Sequence, residues 1–318
     1  MPRTAVLRLL APVFVAFAML LPARAEPLDV VATTGMIADA ARAVGGTEVE
    51  VRALMGPGID PHAYRQTRSD IATMLGADLV LWNGLFLEAQ MEEFLLRLAS
   101  RVPVRAVAEA VPNDRLIAHS DYQGRADPHI WMDPALWTHA VEAVRDALSE
   151  LRPDAADEFA RNASAYIDTL QRLDAYAREI IATVPEHARL LVTAHDAFGY
   201  FGRAYGVEVL GVQGISTQSE AGLARIGELV DLIVERTIPA VFVESSVSER
   251  NVRALVEGAA ARGHEVSVGG ELFSDAMGLE GTYQGTYPGM IDHNVTTIVQ
   301  ALGGRVSRGG MVGELASN

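Results

Sequence analysis

The chain has 318 residues, about half of them hydrophobic and 21% charged, with a formal net charge of −15. That length and apolar content exclude wholesale disorder and favour two domains over one, while the acidic balance disfavours nucleic acid and anionic membrane as partners. There is no cysteine, which excludes disulfides, thiolate metal sites, a cysteine nucleophile and lipid attachment through cysteine.

Residues 1–25 read as a cleaved secretory signal. Arg3 and Arg8 make a positive start, Leu9 to Leu21 is an apolar run, and Ala23-Arg24-Ala25 has the small-x-small pattern of a cleavage site. The run is about 13 residues long, too short for a comfortable membrane span; a retained N-terminal anchor is the alternative. No later apolar run approaches ~18 residues, so the mature protein is expected to be soluble.

The mature chain then alternates short β-branched runs with helical patterns. "LDVVAT", "EVRALM", "ADLVLWN" and "VPVRAVA" predict strands, with helices at about 35–44, from Thr67, at about 88–99 and from Pro134. Thr67 and Asp70 form a capping box with Asp in place of Glu, and Pro134 suits a first helical turn. Residues 154–183 lack Gly and contain no internal Pro. Phe159, Ala163, Tyr166, Leu170, Leu173, Tyr176 and Ile180 recur there at helical spacing. Thirty residues give a helix of roughly 45 Å, a rigid bridge rather than a flexible linker. Beyond it "ARLLVTAH", "VEVLGV", "PAVFVES" and "HEVSV" predict strands, with helices at about 198–204, 220–236, 249–262 and 289–302. The pattern predicts an α/β protein of two Rossmann-like lobes with mostly parallel sheets. The expected division is signal 1–25, first lobe 26–153, bridging helix 154–183 and second lobe 184–318.

With no thiolate available, a metal site must use His, Asp or Glu. His62 lies in "MGPGIDPHAY", His129 in "RADPHIWMDP", His195 ends "LLVTAH" and Asp275 lies in "GGELFSDAMG". All four sit where strands or loops precede helices, and ligands of open α/β sheets bind at the carboxyl ends of strands. Two come from each half, so an interlobe cleft brings them within reach of one another. Three imidazoles and a carboxylate suit a divalent transition ion better than Ca²⁺ or Mg²⁺. On spacing alone the set is weak: His195 equally fits a hydrogen-bonded core imidazole, and Asp275 a turn cap. Glu244, after "AVFVES", is a candidate to orient an imidazole or to pair with an arginine. Trp82 and Trp131 fit core or cleft wall, His119 a solvated loop, and His139, His187, His264 and His293 structural positions.

The strings "VVATTGMI", "MGPGIDPHAY", "NGLFLE", "DPHIWMDP", "TAHDAFGYF", "VQGISTQSEAG", "FVESSVSERNVRAL" and "ELFSDAMG", in that order, resemble the TroA-like (cluster A-I) manganese- and zinc-binding solute-binding proteins of bacterial ABC importers. The resemblance covers essentially the whole mature chain. It implies a metal held between two lobes bridged by one long helix, with the family's ligand positions falling on His62, His129, His195 and Asp275. Histidine at the third position is similar to members that accept both zinc and manganese, and the stretch before His129 lacks the His-rich loop of dedicated zinc members. The implied cargo is Mn²⁺ or Zn²⁺ and the implied partner the membrane permease of a metal ABC importer, with no nucleic acid and a monomer as the default. The missing cysteine further implies a free, non-lipidated periplasmic protein. The competing readings are a periplasmic zinc metallohydrolase, with Asp196 beside His195 as its candidate base, and a metal-stabilised adhesin. Neither HExxH nor G-x-S-x-G occurs.

Overall fold

The computed structural model describes residues 26–119, 122–219, 221–306 and 310–311, so the expected signal at 1–25 lies outside the described residues. In the first half, β1 (Leu28–Ala32), β2 (Val49–Ala53), β3 (Leu79–Trp82) and β4 (Val104–Ala106) form one parallel sheet in the order β2-β1-β3-β4. The central strands β1 and β3 are apolar on both faces because helices cover both, and Val30, Val31, Leu81 and Val80 are fully buried. The chain leaves β1 for β2 on one side and returns for β3 on the other. The loops after these strands therefore part at a switch point, where an open α/β sheet has its crevice.

The helices of this half are α1 (Gly35–Gly45), α2 (Arg68–Gly76), α3 (Glu92–Leu98) and α4 (Pro134–Leu151). The Thr67–Asp70 capping box opens α2, and Asp133 caps α4 ahead of Pro134. Helix α3 starts four residues later than its pattern predicts. Gly84, Leu85 and Phe86 all take positive φ, and the Glu88 carboxylate turns back to accept from the backbone N–H of Asn83 and Gly84. That carboxylate satisfies a loop, so its residue is not free to begin a helix.

The bridge is α5 (Ala156–Ile181), entered through a 3-10 turn at Pro153–Ala155. Its buried stripe includes Phe159, Ala163, Leu170, Leu173, Tyr176 and Ile180, six of the seven residues that its periodicity singles out; the seventh, Tyr166, is half-buried. It packs against α1 and α4 on one side and against α6 (Gly199–Tyr205) and α9 (Tyr287–Ala301) on the other. One hydrophobic core runs from Val30 and Leu79 through this stripe to Phe201, Ile291 and Val299. The two halves thus share a core along the bridge.

In the second half, β5 (Leu190–Thr193) pairs with β6 (Glu208–Gly211), and β7 (Ala240–Glu244) with β8 (Ser267–Leu272), all parallel. β5 lies beside β7, so two parallel pairs stand where a single sheet is predicted. A register shift at Val241/Phe242 faces Gly269 and Gly270, where side chains would collide with Phe242, Ala301 and Thr297. Helices α7 (Leu223–Glu235) and α8 (Arg250–Ala261) complete this half over a second apolar cluster around Val192, Ile233, Val241 and Leu255.

Candidate metal centre

Each candidate ligand stands at the exit of an element or on a loop at the carboxyl edge of a sheet. His62 follows β2 on a loop through Pro57 and Gly58. The sequence Asp60-Pro61-His62 folds on itself so that the His62 N–H donates to Asp60 Oδ1 at 2.8 Å. The same Asp-Pro-His string recurs at 127–129, where Asp127 Oδ1 accepts from the His129 backbone at 2.9 Å and from its ring Nδ1 at 2.7 Å. Proline in the middle restricts the backbone and limits the entropy lost when the ring is fixed. His195 leaves β5, and Glu244 at the end of the neighbouring β7 accepts from its backbone N–H at 2.8 Å and from Nδ1 at 2.5 Å. Asp275 follows β8 within a turn held from the other half: the Trp131 indole N–H donates to the Ser274 carbonyl at 2.8 Å.

These loops bring one ligand atom from each of His62, His129, His195 and Asp275 to within 4.8 Å of one another. All four are buried, none more than 2% exposed. His62 Nε2 and His129 Nε2 are 3.2 Å apart, His195 Nε2 and Asp275 Oδ2 3.3 Å, and His129 Nε2 and Asp275 Oδ1 3.4 Å. A tetrahedral ion with bonds of ~2.1 Å has ligand–ligand edges of ~3.4 Å, so the spacing fits such an ion. His62 stands slightly wide, with its Nε2 4.0 Å from Asp275 Oδ2. Both Asp275 oxygens and His195 Nε2 are buried with no hydrogen-bond partner among the described residues. Buried polar atoms are rarely left so, and three converging on one point indicate the place of a cation.

The electrostatics divide the imidazoles. Burial, with the neighbouring rings adding to it, holds His62 down at about 3 against the pull of Asp275, so its ring is neutral. Burial also works against a charged His129, but Asp127 and Asp275 more than offset it and raise that ring to about 9. His195 is likewise raised well above the ordinary value, burial being outweighed by Glu244 and Asp275. Asp275 resists its own burial because these rings hold it well below the usual carboxylate range. Without a metal ion, two ring protons thus supply the positive charge at the centre, and binding a metal must displace them.

Glu244 plays the part suggested for it: its carboxylate holds the His195 ring and no arginine pairs with it among the described residues. Asp127 escaped notice, although the doubled Asp-Pro-His string is a signal for it. His119 corrects an expectation. It is 7% exposed rather than solvated, its backbone N–H donating to the Arg125 carbonyl and its ring lying edge-on to Tyr122. His139 meets Arg115 and Glu142, His264 the Ile238 carbonyl and His293 the Glu271 carbonyl. Trp131 forms the cleft wall, its ring edge-on to His129 at 5.1 Å, and Trp82 lies in the core. Asp196 stays outside the cluster of candidate ligands.

The chain is 50% identical over 278 residues to the manganese-binding lipoprotein MntA of Bacillus subtilis, spanning 87% of this chain and 90% of that protein. It is 48% identical over 277 residues to the zinc-binding protein TroA of Treponema pallidum, spanning 87% and 89%. The solved structure of the periplasmic zinc binding protein TroA from Treponema pallidum superposes with a TM-score of 0.84, covering 87% of this chain and 99% of that one. These relatives correct the expectation of a free, non-lipidated periplasmic protein. MntA is named a lipoprotein, and so is the Streptococcus parasanguinis FimA, 29% identical over 282 residues, 86% of this chain and 89% of that protein. A missing cysteine speaks to one attachment chemistry only, and that no helix among the described residues is long and apolar enough to cross a membrane says nothing of a lipid anchor. The periplasmic zinc-uptake complex component A family matches residues 30–301, and with these relatives it establishes that the chain belongs to that family of metal-importer binding proteins.

Proposed function

We propose that this protein captures Mn²⁺ or Zn²⁺ at His62, His129, His195 and Asp275 and delivers it to the membrane permease of a metal ABC importer. The observation that carries this reading is the convergence of three imidazole Nε2 atoms on a buried carboxylate whose oxygens have no other partner. Relatives named manganese-binding and zinc-binding, matched over about nine-tenths of their length, support the choice of cargo. Four protein donors leave tetrahedral zinc no open position for a water nucleophile, so the protein works by capture and release, without turnover; a monomer is the default state for a binding protein of this kind. The lobes span 26–153 and 184–318, with the helix at 154–183 as a rigid bridge that keeps opening modest.

Such a donor set holds Zn²⁺ more tightly than Mn²⁺ whatever the physiological cargo, because Zn²⁺ is the smaller ion and the stronger Lewis acid toward imidazole. Selection therefore rests on which ion the compartment supplies. The test is a chelator-competition titration of wild type, Asp275→Asn and His62→Ala with each ion. Removing the neutral His62 leaves no unpaired buried charge, so that variant keeps its fold. Both variants are expected to bind at least about 100-fold more weakly than wild type, since second-sphere changes alone reach 10–100-fold. Wild-type affinity in either one rejects the site.

A further inference from the structure

His62 differs from the other two imidazoles in how it is held. Among the described residues no carboxylate lies closer to its ring nitrogens than Asp275 Oδ2 at 4.0 Å, whereas Asp127 and Glu244 grip the Nδ1 atoms of His129 and His195. Its restraint comes instead from the opposite half of the molecule. The Gln218 side-chain amide donates to the His62 carbonyl at 2.7 Å, and the Thr217 hydroxyl donates to Asp60 Oδ2 at 2.6 Å. The other oxygen of the same Asp60 carboxylate accepts the His62 N–H. Gln90, from the first half, donates to Gln218 Oε1 at 3.1 Å and so fixes which way that amide points.

We propose that Thr217 and Gln218 form a clip that holds the His62 loop over the centre and sets how fast the cargo leaves. The inference rests on the reading of His62 as a ligand. The geometry has three consequences. The clip lies on the loop after β6, so it belongs to one half while the side chain it restrains belongs to the other, and any separation of the halves must break it. It grips His62 through the backbone on both sides of the residue, so releasing it frees the whole ligand rather than rotating its ring. Gln218 and its neighbour Ser219 are exposed, so a docking permease can reach this clip without entering the buried centre. Thr217 and Gln218 are thus positioning residues: they touch no proposed ligand atom and act through the backbone of one ligand.

The test is a stopped-flow chase of the Zn²⁺-loaded full-length protein with excess EDTA, alongside association rates for Zn²⁺ alone. Thr217→Val removes only the hydroxyl, and Gln218→Met keeps the length of the side chain without its donor. Loss of one such hydrogen bond is worth roughly fivefold, so the double variant is expected to release zinc about 10- to 30-fold faster, with association within about twofold of wild type. The melting temperature of the metal-free double variant reports whether the fold survives, and Gln218→Met alone, at an exposed position, keeps the test open if Thr217→Val does not fold. The same pair of changes in a His62→Ala background is expected to leave the residual off-rate unaltered, because the clip acts through His62. Wild-type off-rates in the double variant, or an equal acceleration in the His62→Ala background, overturn the clip. Wild-type protein that binds no zinc at all fails at the earlier step and rejects the site itself.

Discussion

The rings of His129 and His195 are fixed by carboxylates of the half of the molecule that carries them; the loop of His62 is clasped by the half that does not. Each of the first two rings ends in a buried carboxylate on its own side of the cleft, Asp127 two residues away and Glu244 on the adjacent strand. The third rests on a Gly- and Pro-containing loop clasped by Thr217 and Gln218. The division separates two tasks that one site must combine. Tight binding needs ligands oriented before the ion arrives, whereas delivery needs at least one ligand that can be withdrawn. A carboxylate at Nδ1 provides the first, by setting ring orientation and raising basicity. A clip between the halves provides the second.

Proton competition gives the widest separation between the two kinds of ligand. His129, raised to about 9, and His195, also raised well above the ordinary value, are both protonated near neutrality, while His62, at about 3, is not. Because the folded values lie above the ordinary ~6.5 of an unfolded chain, these protons stabilise the metal-free protein fully below about pH 6.5, and the His129 contribution is lost as pH rises through about 9. A metal ion must expel them, so affinity rises with pH. About two protons leave per ion near neutrality, which corresponds to about 100-fold in affinity per pH unit. Calorimetry in two buffers of different ionisation enthalpy counts them. Release of three protons places His62 with the other two rings and dissolves the comparison; release of none removes its electrostatic basis.

Substitution of the supporting carboxylates comes next. Glu244→Gln and Asp127→Asn are each expected to weaken zinc binding by about 10–100-fold, because each leaves a ring without its anionic partner. Asp60→Asn, which alters only support to the backbone of His62, is expected to weaken it by about fivefold. Competition titrations at one pH rank the three. An Asp60→Asn loss as large as that of Glu244→Gln means that His62 is oriented no less firmly than the others.

Much of this was legible in the residues, for identifiable reasons. The stripe Phe159, Ala163, Leu170, Leu173 keeps strict helical spacing without Gly or Pro, so the bridge could be read almost to its ends. Thr67 with Asp70, and Pro134 in a first helical turn, are local signals that depend on nothing distant. The four converging side chains were legible through resemblance rather than spacing, because they lie more than two hundred residues apart at the extremes and only the tertiary fold brings them together. Glu88 was misread for the same reason. Its helical pattern is sound, yet the positive-φ turn at Gly84–Phe86 recruits its carboxylate. Asp127 and the Thr217–Gln218 clip act across loops, where no periodicity announces a partner.

Where the ion sits is the most direct test of a centre built from these four side chains. Crystals of the zinc-loaded protein, measured on both sides of the zinc absorption edge, should show one strong anomalous peak about 2.1 Å from the Nε2 atoms of His62, His129 and His195 and from an oxygen of Asp275. A peak elsewhere in the molecule, or one at this point that leaves any of those four side chains beyond bonding distance, contradicts it.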